Sequence, residues 1–122
     1  MLKNIYLLVY IDVMRTKSQL RYFVKELAIP INKDKIGIFC KKHHIVNLAL
    51  FGSILTSHFG PKSDVDVLVS FDKKYTPNLF DLVDMESELG TIVGRDVDLR
   101  TPNDLSPYFR DEVVANAKTI YG

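Results

Sequence analysis

A chain of 122 residues with 47% hydrophobic and 25% charged residues has the make-up of one globular domain. A domain of this size buries roughly two thirds of the surface its unfolded chain exposes, so it needs neither a disulfide nor a structural metal to fold; its one cysteine, Cys40, excludes an intrachain disulfide in any case. The net charge of +1 hides an asymmetry: residues 1–62 carry ten Lys/Arg against three Asp/Glu, and residues 63–122 carry six against twelve, so the second half suits a metal and the first suits phosphate or an acidic partner.

The longest apolar run, Ile5 to Ile11, is closed by Asp12. It is far short of the roughly 20 residues of a membrane helix, and no small-residue cleavage site follows it. A cytoplasmic protein is expected. Residues 1–11 read as a strand or a helix start. Thr16-Lys17-Ser18-Gln19 is a capping box for a helix carrying Leu20, Phe23, Val24 and Leu27 at helical spacing. Pro30 ends that helix or follows its end. Residues 1–32 are therefore expected to form a partly helical extension, and residues 33–122 the domain proper.

Asn32 can cap a helix whose apolar side is Ile36, Phe39 and Cys40, with Cys40 a buried, reduced thiol. Ile45 to Phe51 reads as a buried strand ending at Gly52, and Val65 to Phe71 as a second. Between them Ser53 to Phe59 has room for two helical turns, and Gly60-Pro61 makes a turn. Thr76-Pro77 predicts the start of a third helix, with Phe80, Val83 and Leu89 on or near its apolar face and Gly90 able to cap its end. Asp96 to Arg100 reads as a third strand. Ser106-Pro107 opens a last helix with Phe109, Val113, Val114, Ala117 and Ile120 as apolar positions. Alternating helices and strands predict an α/β or α+β fold, a short sheet with flanking helices.

The chemistry lies in Gly52-Ser53, ten residues, then Asp64-Val65-Asp66. Residues i and i+2 of a strand leave the same face, so Asp64 and Asp66 stand side by side while Val65, Val67 and Val69 pack on the other. Two adjacent carboxylates repel, and a cation offsets that repulsion. Oxygen-only ligands suit magnesium, which commonly completes its shell with water and substrate phosphate. Glycine at a strand-to-helix junction admits a phosphate close to the backbone, where N–H groups and the Ser53 hydroxyl can bind it. Asp96-Val97-Asp98 repeats the alternation, and one of its aspartates could complete the metal site or take a proton from an attacking hydroxyl. Gly-Ser turns and Asp-x-Asp strand edges are each commonplace. Together they assemble the parts of metal-assisted phosphoryl transfer.

Gly52-Ser53, the ten-residue spacing, Asp64-Val65-Asp66 and the later Val97-Asp98-Leu99 resemble the nucleotidyltransferase superfamily of DNA polymerase beta and kanamycin nucleotidyltransferase. The segment Phe59 to Val69 and the ending Ala117 to Gly122 resemble its minimal, MntA-type subgroup, and the similarity spans roughly residues 33–122. The resemblance implies a nucleotidyltransferase fold in which Gly52 and Ser53 hold the triphosphate of ATP and Asp64 and Asp66 bind Mg2+. Asp98, which precedes Leu99 in the Val-Asp-Leu pattern, is implied as the third carboxylate. Many relatives carry arginine soon after Gly-Ser, where this chain has Ile54 and Leu55; Lys62 is the candidate cation for the triphosphate instead. The subgroup comprises antitoxins that transfer AMP from ATP to a tyrosine of a HEPN-type toxin, which implies such a partner here.

His43 and His44 end a helix, where imidazolium favours the dipole, and a structural role is expected. His58 lies near the phosphate loop. The six tyrosines form no ordered stacking platform, and the basic half lacks the density of a nucleic-acid groove. Three functions remain open: protein adenylylation, neutralisation of a toxin by contact alone, and nucleotide transfer to a small molecule or an RNA end.

Overall fold

The computed structural model describes residues 29–122, and residues 31–122 form one compact unit. The expectations for residues 1–28, the Thr16 capping box included, lie outside the described residues. The chain runs α1 (Lys33–Lys42), β1 (Ile45–Phe51), a 3-10 turn (Gly52–Leu55), β2 (Val65–Phe71), α2 (Leu79–Val93), β3 (Val97–Arg100), a second 3-10 turn (Pro102–Asp104), α3 (Arg110–Asn116) and β4 (Lys118–Tyr121).

The four strands form a mixed sheet in the order β3-β2-β1-β4. β1 pairs antiparallel with β2 and with β4, while β2 pairs parallel with β3. Leu48 lies opposite Val69, Leu50 opposite Val67, and Val65 beside Val97, so these side chains share one face. All are buried, as are Ile36, Phe39 and Cys40 of α1 and Met85, Leu89 and Val93 of α2. The two helices thus supply one side of the core and the valine-rich face the other. Each large aliphatic or aromatic side chain so buried contributes about 1.5–3 kcal/mol. The opposite face carries Phe51, Asp66 and Asp98. No helix among the described residues is long and apolar enough to cross a membrane.

Helix α1 begins where Asn32 accepts the N–H groups of Asp34 and Lys35, both at 3.1 Å. Asp34 in its first turn and Lys41 and Lys42 in its last complement the helix dipole. His43 caps its end, and His44 reverses the chain at φ 59° with its ring against Tyr75. Burial pushes the Cys40 thiol up to about 11, so it stays protonated. Lys42 and His43 both reach Glu88 of α2, at 2.8 and 3.3 Å, and tie the two helices together.

Five expectations are corrected. The two helical turns after Gly52 are a single 3-10 turn, because the backbone N–H and the hydroxyl of Thr56 both take the Ser53 carbonyl and Thr56 turns extended. Helix α2 starts at Asn78 rather than Thr76: Asn78 and Asp81 close a reciprocal capping box, and Pro77 precedes it. It ends at Gly94, which takes the left-handed conformation at φ 73°, and Gly90 stays inside. Phe80 and Val83 lie off the buried Met85-Leu89-Val93 stripe and are 78% and 56% exposed. The last helix spans only Arg110–Asn116, and Lys118–Tyr121 is a strand on β1, where Thr119, Ile120 and Tyr121 find the pleated environment that β-branched and aromatic residues prefer.

Candidate active site

The chain leaves β1 at Phe51 and turns at Gly52, whose φ of 75° is the left-handed conformation that favours glycine. Opposite Phe51 on β2 is Asp66. Its carboxylate occupies the volume that a Cβ on residue 52 would take. The Ser53 backbone N–H donates to the same carboxylate. The glycine therefore makes room first for Asp66, and one of the N–H groups expected to face phosphate is already engaged by it. The Ser53 side chain remains half-buried at the turn.

Asp98 is the in-register neighbour of Asp66 on the parallel strand β3. Asp64 is exposed and immediately precedes β2. Burial is the main influence raising the Asp66 carboxyl above the ordinary aspartate range, followed by the charges of Asp98 and Asp64; Arg100 and the Ser53 N–H oppose it. The carboxylates are thus close enough to repel one another. Their oxygen-only chemistry fits a magnesium ion that keeps water and phosphate in its shell. Among the described residues, no three His, Cys, Asp or Glu side chains already converge on one point. Asp98 is instead held by Arg100, two residues along the same strand face, with Nε 3.3 and 3.2 Å from its two oxygens and an Nη2–Oδ2 separation of 3.2 Å.

The loop that delivers Asp64 is moulded internally and pinned from outside. Ser63 and Gly60 close a turn: the Gly60 N–H donates to Ser63 Oγ at 2.9 Å and the Ser63 N–H to the Gly60 carbonyl at 3.1 Å. Arg95, just after α2, donates Nη2 to the carbonyls of Gly60 and Ser63 and lies 4.6 Å from the centre of the Phe59 ring. The Val65 N–H then takes the Asp96 carbonyl at 2.8 Å and starts the parallel pairing. Asp96 is exposed and outside the strand; its role is this backbone bond. Glu86 of α2 accepts the Leu99 N–H at 2.8 Å and holds the outer side of β3. Lys62 is exposed in the turn before Asp64, and His58 is exposed in the preceding loop.

Sequence reasoning missed Arg95, Arg100 and Glu86. An arginine after a helix reads as a solvated charge, and nothing in the linear pattern tells that its arm spans back to the Gly60 loop. For Arg100 a signal existed: it stands i+2 from Asp98 on the same strand.

Residues 34–122 match the family model for the polymerase beta nucleotidyltransferase domain. The chain belongs to the polymerase beta nucleotidyltransferase family. Within this family it is 33% identical over 88 residues to a protein of Methanocaldococcus jannaschii provisionally named protein adenylyltransferase, covering 72% of this chain and 92% of the relative. The nucleotidyltransferase fold is shared with a solved toxin–antitoxin structure with AMP-PNP, at a TM-score of 0.61 and 23% identity over 75% of this chain and 74% of that one. It is also shared with a complex of tri-AMPylated HEPN toxin and MNT antitoxin from Shewanella oneidensis, at a TM-score of 0.55 and 23% identity, covering 80% and 72%. The chain is accordingly a nucleotidyltransferase.

Proposed function

We propose that the chain is the antitoxin of a HEPN-type pair and transfers AMP from ATP to a tyrosine hydroxyl of its toxin. The observation that carries this is the in-register Asp66–Asp98 pair on the sheet face beside Gly52-Ser53. In support, a relative is named for protein adenylylation, and a structure of the same fold contains an AMPylated HEPN toxin.

Gly52 and the Ser53 hydroxyl receive the triphosphate where the chain leaves β1. Asp64, Asp66 and Asp98 are the residues to hold magnesium, which when bound supplies positive charge for the phosphates and for the attacking oxygen. Asp98, half-buried beside Asp66, accepts the phenolic proton. The tyrosine oxygen bonds to the α-phosphorus, the bond from that phosphorus to the bridging oxygen breaks, and pyrophosphate leaves with the electron pair. A protonated tyrosine is a poor nucleophile at neutral pH, so a carboxylate poised to take its proton matters.

Contact alone is the second reading. The exposed Leu79, Phe80 and Val83 at the start of α2 and Tyr108 and Phe109 before α3 favour it, because they offer apolar surface to a protein partner. The experiment is to co-express the cognate toxin with wild type or Asp98→Asn and weigh the toxin intact. Enzymatic silencing requires added AMP mass with wild type and little or none with the variant. A toxin that is inactive yet unmodified in both samples supports the contact reading and overturns the first.

A further inference from the structure

Among the described residues, Tyr108 is the most exposed of the large apolar and aromatic side chains, at 91%. Its backbone N–H lies 3.4 Å from Ser106 Oγ, and its ring and hydroxyl stand free in solvent. The other described tyrosines are half-buried, Tyr75 against the rings of His44 and Phe71 and Tyr121 within β4.

The turn that carries Tyr108 is held from both sides. The N–H groups of Phe109 and Arg110 both take the Ser106 carbonyl at 3.0 Å, and the ring of Pro107 fixes its own φ. Arg110 then reaches back along the chain. Its Nε donates to the Pro102 carbonyl at 2.8 Å, and its Nη2 to the carbonyls of Asn103 and Leu105 at 3.3 and 3.0 Å. Before these, the Thr101 N–H donates to the Asp104 carboxylate at 3.0 Å. A phenol presented on a backbone fixed in this way loses little further freedom when it enters a site. It also ionises far more readily than the aliphatic hydroxyls of Thr101 and Ser106 beside it.

We propose that the chain also transfers AMP to its own Tyr108, one copy acting on another. This rests on the reading of the chain as a transferase of AMP to tyrosine. The Tyr108 oxygen of one copy bonds to the α-phosphorus of ATP held by a second. The bond from that phosphorus to the bridging oxygen breaks, pyrophosphate leaves with the electron pair, and the phenolic proton passes to Asp98 of the acting copy. The ring is open to solvent and its turn is tied at both ends, so it meets the carboxylates of another molecule rather than folding back on its own.

The test mixes the full wild-type chain, as donor, with tagged Asp98→Asn, as acceptor, in magnesium ATP without toxin. The acceptor is separated by its tag and weighed intact and as peptides. It should gain one AMP group, on Tyr108, and the same acceptor with Tyr108→Phe added should gain none. With wild type alone, the rate of modification per chain should fall about tenfold on tenfold dilution, as a step between two molecules requires. That readout depends on the folding of no variant. An unmodified acceptor, AMP on another residue, or a rate indifferent to dilution overturns the proposal. A parallel sample of wild type with the cognate toxin separates the two readings. AMP on the toxin but not on Tyr108 ends self-modification alone, and AMP on neither ends the AMP-transfer reading with it.

Discussion

The Asp66 carboxylate lies directly against Gly52, in the space that any larger residue would fill. Gly52→Ala should be destabilising twice over, by a left-handed alanine at about 1–3 kcal/mol and by collision with Asp66. Denaturant unfolding of Gly52→Ala, Asp66→Ala and the double variant measures the two parts. The double variant should recover the collision part, so the cycle should show coupling beyond about 0.5 kcal/mol. Strict additivity would mean that Asp66 swings away at no cost.

Asp64→Ala with Asp66→Ala should abolish nucleotide transfer and leave the fold intact, because the pair repels and neither belongs to the packed valine face. Label transfer from α-labelled ATP with magnesium, alongside thermal melting in chelator, checks both halves. Full transfer by the double variant would remove the carboxylates from the chemistry.

Arg95 holds two loop carbonyls with one nitrogen and covers the Phe59 ring. Arg95→Ala leaves both carbonyls without that donor and should cost about 1–3 kcal/mol. It should also slow AMP transfer, since the loop ends at Asp64. Hydrogen exchange should rise in residues 60–64 before it rises in β1. Unaltered exchange there would show that the Gly60–Ser63 turn holds its shape unaided.

Glu88 gives the pH dependence a sign. Its hydrogen bond from Lys42 is the main influence that lowers its carboxyl below the ordinary glutamate value of 4.5, with His43 adding to it. A depressed folded value means stability that is present above the unfolded value and lost as pH falls through the folded one. Lys42 is largely exposed, so the gain is about 1 kcal/mol at most. Melting of Glu88→Gln against wild type should show that gap at pH 7 and its closure well below pH 4.5. A gap that persists in acid would assign it to packing.

Strands β1 and β2 were legible to the residue, because each is a mainly apolar stretch of β-favouring residues closed by a turn former. The reading failed where local signals competed. Thr76-Pro77 and Asn78-Leu79 both look like helix starts, and only the Asp81 side chain reaching back to the Asn78 N–H decides between them. Ala117 to Tyr121 continues a helical pattern in the linear sequence but finds an open edge of β1, a partner far away along the chain. In the site, the alternation of Asp64, Asp66 and Asp98 could be read from spacing, whereas the register that sets Asp66 beside Asp98 could not. Arg95 depends on the loop that this register anchors, whereas the Arg100–Asp98 contact lies within one strand.

The parallel pairing of β2 with β3 also dictates when the site comes into being. Strands joined through a helix meet only after that helix has formed and swung back, and such non-local contacts are slow to form. β1, β2 and the Gly52 turn are neighbours along the chain and can associate early; Asp98 arrives with the crossover. A refolding chain should therefore regain its helical signal before it regains affinity for Mn2+, and partly folded molecules would carry the Gly52 turn without the complete carboxylate set.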